Sequence, residues 1–197
     1  MTTFSQFHPD DARQAPSTPA LTVMSPEAAC IAQLRGRLDH ALTQGELRAT
    51  LLQDALSRFS ASADLAQLLA RCGPPQAGSY RRHLLAADAQ GRYSVVAIVW
   101  GPEQFSPVHG HHTWCAYSVL CGALYETRYN WCEPSQQAHA SRAATRRPGE
   151  VCYTEAGPCG IHRLGNPHAQ PAISLHIYGV PAARVATDVN QLVTAAG

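Results

Sequence analysis

The chain has 197 residues, 45% of them hydrophobic and 15% charged, with a formal net charge of +1. That balance suits one globular domain with a sizeable core and excludes a disordered chain. It also offers no basic surplus for nucleic acid or an anionic membrane and no acidic solvating tail.

Residues 1–24 are rich in Pro, Ser, Thr and Asp and are expected to form a flexible N-terminal arm. The opening stretch has neither the basic nor the apolar segment of a secretory signal, and no apolar run approaches the length of a membrane span. The cysteines, at 30, 72, 115, 121, 132, 152 and 159, are odd in number and include no CxxC pair. Reduced thiols in a cytoplasmic protein are therefore expected, not a disulfide framework.

Residues 25–197 are expected to make a single domain, with helices over about 25–72 and a β-barrel over about 79–180. Ser25-Pro26-Glu27 is a helix start: a hydroxyl cap, proline at the first helical position and an acid in the first turn. Ile31, Leu34, Leu38 and Leu42 follow at helical spacing, and a second helix fits 46–59 with Leu47, Leu51, Leu52 and Leu56. Ser62 is the expected cap of a third helix, through Leu65, Leu68 and Leu69, ended by Gly73-Pro74-Pro75. These leucine stripes call for nothing beyond core packing.

After Pro75 the texture becomes that of an all-β protein. Runs at 80–85 and 93–100 flank a hairpin-like turn at Asp88-Ala89-Gln90-Gly91, and short strands are expected at 108–113, 115–120, 123–129, 151–153, 160–164 and 172–178. Many short strands with turn signals between them predict a small antiparallel barrel or jelly roll with a short N-terminal helical layer.

Val108-His109-Gly110-His111-His112-Thr113 is the strongest local signal. Residues two apart in a strand share a face, so His109 and His111 would converge on one ion while His112 points away. His162, in a β run after a Gly-rich turn, is the best third ligand. A lone HxH also describes ordinary polar residues of a half-exposed strand. However, Gly101…His109-x-His111-x-x-x-Cys115-x6-Gly122 resembles the first cupin motif, and Pro158-x-Gly160-x-His162-x-x-x-Asn166 resembles the second. The two motifs are expected on facing strands. Cys115 stands where many cupins carry a ligating glutamate. Three neutral imidazoles would leave an open, positively charged site suited to a soft thiolate and O2. Cys115 as a fourth ligand would instead close the site around a structural zinc.

The barrel is similar to the thiol dioxygenases, the family of cysteine dioxygenase and bacterial 3-mercaptopropionate dioxygenase. The resemblance runs through Tyr80-Arg81-Arg82, Trp100-Gly101-Pro102, Pro107-Val108-His109-Gly110-His111, Leu120-Cys121-Gly122, Gly160-Ile161-His162-Arg163 and Ser174-Leu175-His176-Ile177-Tyr178. It implies Fe(II) held by His109, His111 and His162, and a supporting relay Ser174-His176-Tyr178 with the tyrosine hydroxyl beside the iron. Strand alternation independently puts those three relay residues on one face. The resemblance further implies that Arg82, with Tyr80, grips the substrate carboxylate. Arginine there, where one group of relatives has glutamine, leans towards a cysteine-like substrate, with mercaptosuccinate and 3-mercaptopropionate as alternatives. It also aligns Cys115 with a cysteine that forms a thioether with the active-site tyrosine, here Tyr178 on a facing strand. The expected partners are a small thiol and O2. A cupin acting on sugars or carbon acids, and a non-enzymatic sensor cupin, are the competing classes.

Overall fold

A computed structural model describes residues 19, 21–23, 29–45 and 48–196. The two sheets are easiest to follow from their middle. Strand β3 (Ser94–Trp100) is buried at every position. It pairs with β2 (Arg81–Ala87) on one side and β11 (Ala172–Tyr178) on the other. The first sheet continues through β6 (Cys115–Cys121) to β9 (Val151–Thr154), with β1 (Leu21–Val23) at its other edge. The second sheet runs β12 (Asn190–Leu192), β5 (His109–His111), β10 (Gly157–Asn166), β7 (Leu124–Cys132) and β8 (Gln137–Arg146), with β4 (Gln104–Phe105) paired to β10.

The near-solid apolar run of β3 follows from its position. One face meets the helices α1 (Ala29–Ala41), α2 (Arg48–Ser60) and α3 (Leu65–Cys72), and the other meets the barrel interior. A strand covered on both faces loses its polar alternation. The helical stripes Ile31, Leu34 and Leu38, then Leu52, Leu56 and Phe59, join Val95, Ala97, Val99, Leu175 and Ile177 in one core. Tyr80, Val96, Ile98, Trp100, Cys115, Tyr117 and Tyr178 form the second, inside the barrel.

The jelly-roll fold with a helical layer is as expected, with differences at the margins. Leu21–Val23, inside the segment read as a loose arm, adds to β2 as a parallel strand, with Leu21 opposite Arg82. An open sheet edge supplies the backbone partners that a side-chain reading does not see. The start signal Ser25-Pro26-Glu27 lies outside the described residues, as does Leu47. The N-cap of α3 is Asp64, and Ser62 instead accepts the Asp64 amide at 3.3 Å. Strand β8 has no counterpart among the expected strands: its sequence QAHASRAATR has no apolar alternation because it is mostly exposed, and its pairing with β7 defines it. Residues 190–192 also extend the second sheet past the expected end of the barrel.

The Asp88 turn is a hairpin as predicted. The Asp88 carboxylate accepts the amides of Gln90 and Arg92 at 3.1 and 3.0 Å, and Gly91 takes a φ of 74°. Gly122 turns the chain from β6 to β7 at φ +71°, where an added Cβ would lie 2.7 Å from the Pro171 carbonyl oxygen and 2.9 Å from Ala172 Cα. Both neighbours are backbone, so neither yields by a rotamer change. Gly122→Ala is expected to cost about 1–3 kcal/mol in chemical denaturation. Unchanged stability would mean that this turn relaxes freely.

Candidate metal centre

The three predicted ligands converge. Their ligand atoms lie within 4.8 Å of one another, and all three side chains are buried. The arrangement differs from the expectation of facing strands: β5 and β10 are antiparallel neighbours in one sheet, with His162 directly opposite His109. His111 and His109 share a face of β5, and the adjacent strand supplies the third ring at the same level. His112 is exposed, as the alternation required.

Each ring is held differently. His109 Nδ1 lies 2.9 Å from the Pro107 carbonyl. A carbonyl only accepts, so Nδ1 carries the proton and Nε2 is left for a metal. Ser106 fixes that carbonyl's segment against β10: its amide donates to Leu164 O at 2.8 Å and its hydroxyl accepts from Leu164 N at 3.1 Å. His162 Nδ1 lies 2.8 Å from Glu126 Oε1. His111 Nδ1 is buried with no hydrogen-bond partner among the described residues. Burial, with His162 beside it, pushes His109 down to about 3, and burial likewise drives His111 well below the usual range. Neutral imidazoles are the form that binds a metal.

Glu126 carries no signal of its own in the sequence. It is 1% exposed on β7, with Arg146 donating to Oε2 from Nη2 at 2.6 Å and from Nε at 2.8 Å, and Arg128 at 3.4 Å from Oε1. Burial alone would raise its pKa, but His162, Arg128 and Arg146 hold it down to about 2, so it is a carboxylate. What could have found it is the alternation of Leu124, Glu126 and Arg128 on one face of a strand whose Leu124 is fully buried.

The first sheet supplies the opposite wall. Ser174, His176 and Tyr178 face the interior, while Leu175 and Ile177 face the helices. Ser174 Oγ and His176 Nε2 are 2.8 Å apart, and the Trp100 indole donates to the same Oγ at 2.9 Å. The serine hydroxyl therefore has its proton free for His176. His176 and Tyr178 meet by near-parallel ring contact at 5.7 Å, and Tyr117, opposite His176 on β6, stacks with it at 5.3 Å. Burial, then Cys115, pushes the Tyr178 phenol well above its usual range, which keeps it protonated as a donor.

Between the walls lies a cavity of about 20 Å³, lined by the three histidines, His176, Tyr178, Tyr80, Arg82 and Trp100, with Ser106 and Asn190. A volume of roughly 10–15 Å³ by this measure holds one water, so only a small ligand fits without movement. Arg82 is 4% exposed, and donates to Val185 O at 2.9 Å and to Pro19 O at 3.5 Å. Among the described residues no carboxylate pairs with it. A buried guanidinium with spare donors facing a cavity is a seat for an anion. Tyr80 packs against Trp100 beside it in a tilted contact, with ring centroids 4.6 Å apart.

Cys115 is not in the convergent ligand set. A turn separates it from His111, and it begins β6 in the opposite sheet, so the two do not share a strand face. It lies directly opposite Tyr178, on adjacent strands of one sheet and not on facing strands. It also lines a smaller cavity behind His111 and His162, with Tyr117, Arg128 and Cys152.

Two facing, mostly antiparallel sheets with a buried three-histidine set between them define a class: a cupin barrel with a site able to hold a metal ion. Within that class the chain belongs to the cysteine dioxygenase type I family, whose sequence model matches residues 22–187. It is similar to cysteine dioxygenase type 1 of Rattus norvegicus, 30% identical over 105 residues, 52% of each chain. It is similar also to cysteine dioxygenase type 1 of Homo sapiens, 28% identical over 104 residues, again 52% of each. The chain thus spans about half the length of the curated relatives it matches. Among solved structures, TT1209 from Thermus thermophilus is 20% identical, covers 57% of this chain and 93% of its own, and has a TM-score of 0.45. Among the described residues, no helix is long and apolar enough to cross a membrane.

Replacing His109, His111 or His162 by alanine should each remove most metal from protein loaded with one equivalent of Fe(II), whereas His112→Ala should keep it. Elemental analysis after desalting reads the result. Retention by His111→Ala together with loss by His112→Ala would contradict the strand register.

Proposed function

We propose that this chain is an Fe(II)-dependent thiol dioxygenase that converts a small thiol acid, L-cysteine first, and O2 into the sulfinic acid. The observation that carries the reading is the pairing, across one narrow cavity, of three convergent imidazoles with the buried guanidinium of Arg82, which meets no carboxylate among the described residues. One end suits a soft metal-bound group and the other an anion, which together describe a thiol carboxylate. Family membership and the names of the relatives, matched over about half their length, support the same chemistry. Mercaptosuccinate and 3-mercaptopropionate carry the same two groups and are the other substrates to test. The free state of all seven cysteines suits a reducing cytoplasm.

The residues fit iron: three buried nitrogen donors, of which two have their outer nitrogen occupied, leave one side of the site to the cavity. Bound there, Fe(II) would supply the activation of O2 and a soft position for the substrate thiolate. Both atoms of O2 end on sulfur, so that RSH and O2 become RSO2H with nothing left over. Arg82 would take the carboxylate and set the substrate's orientation, with Tyr80 beside it. Tyr178 would donate a hydrogen bond into the cavity. His176, fixed by Ser174 and in ring contact with Tyr117 and Tyr178, would hold the Tyr178 ring in place.

Truncating one partner of a buried charge-assisted pair costs about 2–5 kcal/mol. Arg82→Ala should therefore raise KM for cysteine about 30-fold or more, with little change for cysteamine, which has no carboxylate. Oxygen-electrode kinetics on the two substrates separate the cases, and equal damage to both would assign Arg82 to the fold instead.

Cys115 and Tyr178 would be joined during turnover. The S–H bond and one ring C–H bond are lost, an S–C bond forms, and two electrons and two protons pass to O2. Directly opposed residues on adjacent strands bring their Cβ atoms to about 4.5–5.5 Å, within reach of such a bond. After many turnovers, intact mass should fall by about two hydrogens, as oxidative coupling requires, and Cys115→Ser should abolish the change. A constant mass would leave Cys115 as a packing residue.

A further inference from the structure

The three imidazoles of the centre have unequal supports: a neutral carbonyl for His109, none among the described residues for His111, and for His162 a carboxylate that is ion-paired with Arg146. A hydrogen bond to an ionised acceptor is roughly twice as strong as one to a neutral group. We propose that Glu126 is a positioning residue that locks His162 with its proton on Nδ1 and makes it the most electron-rich of the three ligands. The proposal rests on the metal centre inferred above.

The geometry divides the work of one carboxylate between its two oxygens. Arg146 engages Oε2 through both Nη2 and Nε, which fixes the carboxylate plane and leaves Oε1 to His162 at 2.8 Å. Arg128 approaches Oε1 only at 3.4 Å. A carboxylate has no proton to give, so the hydrogen on Nδ1 belongs to the imidazole and Nε2 is presented to the metal. An acceptor of this kind raises the basicity of the ligand, which favours the ferric over the ferrous ion and lowers the potential. The arginines act against it by drawing charge from the carboxylate. The strength of His162 as a ligand is therefore set by a contest between two arginines and one ring for one carboxylate.

Local charge separates this account from simple electrostatics. Glu126 with Arg128 and Arg146 sums to −1 + 2 = +1; Glu150 meets Arg146 at 3.6 Å from a largely exposed position. Glu126→Gln raises the sum to +2, Arg146→Met lowers it to 0, and the double variant restores +1 without the carboxylate.

The test loads the full chain anaerobically with Fe(II) alone. It measures the dissociation constant by chelator competition, the midpoint potential of the loaded protein, and the His162 tautomer in metal-free protein by 15N imidazole NMR. Glu126→Gln should weaken Fe(II) binding about 10- to 100-fold and raise the potential. Arg146→Met should move the potential the other way. The double variant should keep the raised potential despite its wild-type charge. It also relieves the uncompensated buried arginine, so it serves if Glu126→Gln does not fold. A double variant returned to wild-type affinity and potential would overturn the proposal, because net charge would then explain the effect. A wild-type His162 protonated on Nε2 would overturn it independently of any variant. A wild type that binds no Fe(II) would sink the reading of the centre as an iron site, while the tautomer measurement would still decide the role of Glu126.

Discussion

Three imidazoles packed against one another inside a barrel are the constraint around which the rest of this molecule is arranged. Buried polar rings are costly unless their hydrogen-bonding groups are engaged. Here the outer nitrogens of two of them are engaged by separate devices, the Pro107 carbonyl and the Glu126 carboxylate. Each device recruits further structure. The first needs Ser106 to staple the strand entry to β10, and the second needs Arg146 and Arg128 to neutralise a carboxylate that has left water. The inner nitrogens remain, pointed at one another at a distance that only an ion or a small ligand would bridge.

Placing such a site requires rigid walls, and the double burial of the first sheet provides one. Helices cover its outer face, so β3 and β11 are fixed from behind by Val95, Ala97, Leu175 and Ile177. Their inner faces are then free to carry polar groups, and Ser174, His176 and Tyr178 stand there, tied to Trp100 on the neighbouring strand. The positively charged Arg82 comes from the next strand of the same sheet and is clamped by Val185 O. One sheet thus holds the three imidazoles and the other holds Arg82, His176 and Tyr178, with the cavity between them.

Much of this was legible in the sequence where periodicity and chemistry coincide. The His109-x-His111 spacing and the alternation of Ser174, His176 and Tyr178 each needed only the geometry of a strand. The helical stripes of Ile31, Leu34 and Leu38 needed only that of a helix. What escaped depends on pairing across the chain. Glu126 looks like any surface acid until β7 is laid beside β10, and β8 has no apolar pattern because its side chains are mostly in water. Asn190 reaches the cavity from a segment past the expected barrel because β12 pairs with β5. Which sheet a strand joins was also beyond the sequence, which is why His109 and His162, and likewise Cys115 and Tyr178, proved to be neighbours and not facing pairs.

The central claim, that three imidazoles alone hold one iron and leave room for a thiol, has a direct spectroscopic consequence. X-ray absorption at the iron edge, on protein loaded anaerobically with one equivalent of Fe(II), reports which light atoms surround the metal. Nitrogen and oxygen neighbours with imidazole scattering and no sulfur are expected in the resting protein, with a single iron–sulfur distance appearing when L-cysteine is added without O2. A sulfur neighbour already present before any thiol is added would place Cys115 on the metal and contradict the open site.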